Sequence, residues 1–196
     1  MTVAYDDRTA LVVVDVQNDF ADPAGSLTVA GAADVIGAVN EEIAAATAAG
    51  ATVVYTQDWH PPRTPHFLTD GGPWPVHCVR DTWGAQFHPD LTVLGEAVRK
   101  GTGGEDGYSG FTMRHPHTGE DAPTGLDAVL RRHGTGRVAI VGLALDYCVR
   151  ATALDAIALG YECIVRRGAT APVEVNAGDG AAAEAEMTAA GVVITP

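Results

Sequence analysis

Basic side chains are scarce in this chain: 12 Lys and Arg stand against 25 Asp and Glu, a net charge of −13. A surface of that sign repels phosphate backbones and anionic headgroups, so neither nucleic acid nor a membrane is an expected partner. No apolar run approaches the roughly 20 residues needed to span a bilayer. The opening residues, MTVAYDDRTA, carry acids where a secretion signal has bases, so a cytoplasmic location is expected. Cysteine is also rare. Cys78, Cys148 and Cys163 make no small-scaffold disulfide pattern, which leaves free thiols with a packing or a catalytic role. Against these shortages, 46% of the residues are hydrophobic, enough for a sizeable core in one domain spanning 1–196. The 23 glycines and 11 prolines add numerous tight loops.

Apolar periodicity sets the order of elements. The run Leu11 to Val14 predicts a buried parallel strand that delivers Asp15 at its carboxyl end. Val35, Ile36, Val39 and Ile43 recur at helical spacing within 32–49, and Gly50 is placed to end that helix. A strand over Thr52 to Thr56 follows. Residues 57–90 hold six prolines, three tryptophans and four histidines without either period, and loops of that length usually carry function. Beyond them the pattern predicts a strand at 97–100, a Gly-rich stretch to Pro123 and a helix over 124–133. A strand at 138–141, a helix over 147–159, a strand at 162–165, a helix over 181–190 and a strand at 192–195 complete the chain. Such alternation argues an α/β fold with an open, mostly parallel sheet and helices on both faces.

In open α/β sheets ligands bind beyond the carboxyl ends of the strands, so the polar residues just after apolar runs are the ones to collect. Asp15, Asp58, Lys100 and Cys148 qualify. Cys148 opens a helix directly after a strand and turn, where unpaired N–H groups favour a thiolate. The competing reading is a small core residue, and for Cys163, inside a strand, that reading prevails. Cys78 is intermediate. A thiol nucleophile needs a base and a cation, roles that Asp15 and Lys100 suit.

A second constellation is Asp58, His60, His66 and His77, from QDWHPPRTPHF and PWPVHC. Asp58 and His60 are two apart at a strand end and share a face, and His66 and His77 arrive from the loop. Imidazole and carboxylate ligands suit zinc, iron or manganese. A polar surface loop is the plainer alternative for these four, and is the expectation for His115 and His117 of RHPHTG. Phe20, Trp59, Trp74, Trp83 and Tyr108 fall in or beside these loops. Packing is their usual role, and any that line a pocket would suit a flat ring.

Together DVQNDF (15–20), DWH (58–60), WPVHC (74–78), KGT at Lys100, GYSGF (107–111) and ALDYCV (144–149) resemble the nicotinamidase/pyrazinamidase branch of the isochorismatase-like cysteine hydrolases. The resemblance runs from the first strand to the final helix. It implies a three-layer α/β/α fold, a triad of Asp15, Lys100 and Cys148, and one divalent metal ion (Zn, Fe or Mn) surrounded by Asp58, His60, His66 and His77. It also implies a cis peptide before Ala144, with the backbone N–H groups of Ala144 and Cys148 forming an oxyanion hole. The implied reaction is hydrolysis of nicotinamide, and of pyrazinamide, to the acid and ammonia through a thioester on Cys148, a step of NAD salvage. Phe20, Trp74 and Tyr108 are the expected walls around a small heteroaromatic amide, and a homo-oligomer stays open. Two positions depart from close relatives, where a cysteine often replaces Ala21 and a threonine replaces Leu145. Neither carries the chemistry. The rivals are a metal-independent amidohydrolase of the same superfamily acting on a carbamoyl or ureido group, a true isochorismatase, and a metal-binding protein without turnover.

Overall fold

A computed structural model describes residues 4–196. In chain order the elements are β1 (Thr9–Val14), α1 (Asn18–Ala21), α2 (Ala32–Ala48), β2 (Thr52–Asp58), β3 (Glu96–Lys100), β4 (Thr112–Arg114), β5 (Asp121–Pro123) and α3 (Leu126–Arg132). Then come β6 (Arg137–Leu143), a π-helical turn (Leu145–Val149), α4 (Arg150–Ala158), β7 (Glu162–Ala171), α5 (Asp179–Ala189) and β8 (Val193–Thr195). Six strands form one sheet in the order β3-β2-β1-β6-β7-β8, and every neighbouring pair is parallel.

The residues of β1 explain the three layers. Leu11 and Val13 point to one face and meet Val35, Ile36, Val39 and Ile43 of α2. Ala10, Val12 and Val14 point to the other and meet Leu126 and Leu130 of α3, Ala153 and Ala156 of α4, and Met187 of α5. A strand covered on both faces needs an unbroken apolar run, which is what the sequence supplies. From β1 the chain winds outward to β3 in one direction and from β6 to β8 in the other. The β1–β6 boundary is therefore the switch point where a crevice opens beyond the strand ends.

Beyond shifts of one or two residues at element ends, three departures from the expected pattern stand out. β7 continues past Val165 to Ala171, because after a register shift its pairing with β6 resumes at Gly142 opposite Thr170 and Leu143 opposite Ala171. Arg166, Arg167 and Gly168 interrupt the apolar pattern there and hide the extension. The Gly-rich stretch contains the hairpin of β4 and β5, whose three-residue strands are too short to show a period. The helix expected from Tyr147 starts at Leu145 as a π turn, so Cys148 lies inside the first turn rather than at its opening. No helix among the described residues is long and apolar enough to cross a membrane.

Candidate active site

The ends of β1, β2 and β3 and the π turn after β6 converge on one buried group of side chains. Asp15 leaves β1 in a left-handed conformation, φ 49°, which aspartate tolerates better than most residues and which ends the strand. Thr56 Oγ1 of β2 donates to its Oδ1 at 2.7 Å. Lys100, the last residue of β3, is fully buried, and its Nζ lies 2.7 Å from Asp15 Oδ2, an ion pair outside hydrogen-bond alignment. The same ammonium donates to Asp58 Oδ1 at 2.6 Å, to the Gly107 carbonyl, and to Cys148 Sγ at 3.6 Å. The structure thus brings Asp15, Lys100 and Cys148 together.

Electrostatics divide the two carboxylates. One ammonium cannot neutralise both in so buried a site. Burial pushes Asp15 up to about 6, with Lys100 opposing it and Asp58 adding to it. Burial acts on Asp58 in the same direction, but Lys100 and the neighbouring histidines outweigh it and hold this carboxyl below its ordinary value. Lys100 is raised, since Asp15 and Asp58 overcome the opposing effect of burial. Burial also raises the Cys148 thiol well above its usual value despite the opposing effect of Lys100, and so favours its protonated form.

The histidines stand on the other side of Asp58. Its Oδ2 lies 3.8 Å from His60 Nε2 and 3.9 Å from His77 Nε2. Candidate ligand atoms of His60, His66 and His77 all fall within 4.8 Å of one another. His66 Nδ1 donates to Asp106 Oδ1 at 2.5 Å, and His77 Nδ1 to the Pro75 carbonyl at 2.7 Å. His60 is completely buried with both ring nitrogens unpartnered. Buried imidazole nitrogens are normally bonded. Three clustered rings, one of them with both nitrogens lacking a hydrogen bond, beside a carboxylate oxygen fit a divalent ion by the chemistry of the donor set as well as by geometry. Gly101 (φ 71°) lets the backbone after Lys100 pass this ring, because a Cβ there would stand 2.5 Å from His60 Cε1.

Beside the two groups lies a cavity, partly open to solvent, whose polar lining comes from Asp58, His66, His77 and Cys148. Phe20, Trp74 and Tyr108 line it, together with Leu143 and Ala144, which are joined by a cis peptide. Trp74 Nε1 donates to Tyr108 Oη at 2.8 Å. Trp59 instead lies under the Arg99 guanidinium at 3.7 Å, and Trp83 is exposed. His115 and His117 sit exposed at the turn of the β4–β5 hairpin. Cys78 and Cys163 are buried in the two cores flanking the sheet.

Several residues escape the sequence reading. Tyr147, Leu27, Val29 and Val173 complete the cavity wall. Gln17 clamps the Asp58 backbone, accepting from its N–H and donating to its carbonyl, both at 2.8 Å. Asp19 accepts from the N–H of Cys78 at 2.7 Å and of Ser26 at 3.0 Å, tying the His77 segment to the Leu27 wall. Asp146 accepts from Val173 and Glu174 N–H at 2.8 and 2.9 Å. Gln17, Asp19 and Asp146 lie within DVQNDF and ALDYCV, so their place in those motifs was the available signal.

The fold and this site define a class of protein: the chain belongs to the isochorismatase domain family, which residues 9–195 match. Among its relatives, the nicotinamidase of Escherichia coli is 37% identical over 204 residues, covering 94% of this chain and 93% of that protein. The pyrazinamidase of Pyrococcus horikoshii, solved in complex with zinc, is 40% identical with a TM-score of 0.84, covering 96% of this chain and 98% of that one. PnC1 of L. infantum, solved in complex with nicotinate, is 35% identical with a TM-score of 0.88, covering 100% and 96%.

Proposed function

We propose that this protein is a nicotinamidase, hydrolysing nicotinamide and pyrazinamide to the acid and ammonia through a thioester on Cys148. The observation that carries the reading is the placement of Cys148, with Lys100 Nζ 3.6 Å from its Sγ, in the wall of an apolar, aromatic-lined cavity that Asp58, His66 and His77 also line. That cavity suits a planar heteroaromatic ring with a carboxamide directed at the thiol. Relatives that carry nicotinamidase names and a neighbour bound to nicotinate support the same substrate class.

In this mechanism Asp15 accepts the Cys148 proton as Sγ attacks the amide carbon, and Lys100 stabilises the thiolate. The N–H groups of Ala144 and Cys148 receive the charge that develops on the carbonyl oxygen. Asp15 then returns the proton to the leaving nitrogen, which departs as ammonia. It next takes a proton from the water that cleaves the thioester, regenerating Cys148. Phe20, Trp74 and Tyr108 confine the ring and exclude solvent. Asp58, His60, His66 and His77 would hold one divalent ion, and the zinc complex of the Pyrococcus horikoshii relative supports that choice. Such an ion, when bound, supplies a Lewis acid that accepts a lone pair from the substrate ring nitrogen.

Ammonia release from nicotinamide by the purified chain tests the proposal. Turnover that disappears in Cys148→Ala is the expected result. Turnover confined to a carbamoyl or ureido substrate would move the assignment to another amidohydrolase. Metal uptake with no turnover on any of these amides would leave a binding protein.

A further inference from the structure

We infer that Asp106 is a positioning residue for the metal site, fixing the His66 ring so that Nε2 is its ligand atom. The inference rests on the metal site proposed above. The three histidines differ in what holds the nitrogen not needed for a ligand. His77 Nδ1 donates to a backbone carbonyl, that of Pro75 at 2.7 Å. His60 has no hydrogen-bond partner at either nitrogen. His66 alone is held by a carboxylate, Asp106 Oδ1 at 2.5 Å. An imidazole that donates from Nδ1 keeps its lone pair at Nε2, and a carboxylate partner makes that lone pair a better donor than a carbonyl does.

Asp106 is itself held in place. Its N–H donates to the Arg114 carbonyl at 2.8 Å, and its carbonyl accepts from the Arg114 N–H at 2.9 Å, so the β4 strand anchors its backbone. A second tie reaches His66 from the same loop. Thr64 Oγ1 donates to the Gly104 carbonyl at 2.7 Å and accepts from the His66 N–H at 3.2 Å. The backbone and the ring of His66 are therefore both tied to the segment that follows Lys100. Gly107, the next residue, offers its carbonyl to Lys100, and Tyr108 lines the cavity. A three-residue stretch thus touches the metal ligands, the buried cation and the ring pocket. No motif of the family resemblance contains Asp106, and its side chain is 27% exposed.

Zinc affinity of the full chain, stripped and then titrated in competition with a chromophoric chelator, tests the inference. Asp106→Ala is expected to weaken zinc binding about 10- to 100-fold. Asp106→Asn, whose amide oxygen still accepts from Nδ1 without the charge, should fall between it and the unaltered chain. Cobalt absorption bands should shift in Asp106→Ala, while the unfolding midpoint of the stripped protein stays unchanged. In a His66→Ala background, Asp106→Ala should add nothing further. Affinity unchanged by Asp106→Ala, with His66→Ala weakened, would overturn the inference and leave the metal site standing. An equal loss in both backgrounds would overturn it too, since Asp106 would then act elsewhere. No zinc uptake by the unaltered chain would remove the metal site itself, and the inference with it.

Discussion

Lys100 Nζ lies 2.6 Å from Asp58 Oδ1, while the other oxygen of the same carboxylate faces His60 and His77. Asp58 is therefore the shared wall of two centres, the lysine–cysteine group on one side and the histidines on the other. Because Lys100 is paired with Asp15 as well, the site buries two acids around one base.

That imbalance predicts unequal costs for two substitutions. Lys100→Met leaves two buried carboxylates without their cation and should cost about 3–5 kcal/mol of stability. Asp58→Asn leaves Lys100 matched one to one with Asp15, so it should cost markedly less while abolishing metal binding. Urea unfolding of the metal-stripped variants measures both. Equal losses would show that Asp15 alone does not satisfy Lys100.

The three thiols should separate cleanly. Cys148→Ala is expected to abolish turnover with the fold and bound metal retained, because no thioester can form. Cys163, buried in β7 with its thiol pushed up to about 12 by burial, has no route to a substrate. Cys163→Ala should keep near-normal kcat/KM and lose about 1 kcal/mol of stability. Ammonia release and thermal unfolding on the same preparations check the pair.

Burial holds Asp15 near 6, above the usual carboxylate range. The base form is the ionised one, so its supply increases as pH rises through that value and is lost below it. We expect kcat/KM to be flat above the transition and to fall about tenfold per pH unit beneath it. Metal content measured at each pH separates this limb from ligand loss. A profile flat to pH 4.5 at constant metal content would remove Asp15 as the base.

The parts of this molecule that were legible in its sequence are those set by strand ends and periodicity. Val14, Asp15 and the apolar run before them give both the central strand and its carboxylate, because a doubly covered strand admits no other pattern. His60, His66 and His77 were visible as residue types, although their convergence depends on the loop doubling back through bonds such as Leu68 N–H to the Trp74 carbonyl. Asp106 was not legible. It belongs to a Gly-rich stretch without a period, and its partner is 40 residues away. Leu27 and Val29 were missed for a related reason: their side chains reach the cavity through a loop organised by the Asp19 carboxylate and carbonyl.

Tyr147, next to Cys148, was read only as the start of a helix, yet its ring sets the position of Trp74. The two rings meet edge to face with centroids 4.8 Å apart, and Trp74 is held on its other side by the hydrogen bond to Tyr108 Oη. Edge-to-face pairs contribute about 0.5–1.5 kcal/mol beyond the area they bury. Removing one partner frees the indole to leave the cavity wall, which weakens confinement of the substrate ring without touching the thiol, the acid or the lysine. Tyr147→Ala should therefore raise KM for nicotinamide about three- to tenfold and change kcat much less. Tyr147→Phe keeps the ring and should behave like the unaltered enzyme. A fall in kcat with KM unchanged in Tyr147→Ala would instead place Tyr147 in the chemistry proposed at Cys148, through the backbone the two residues share.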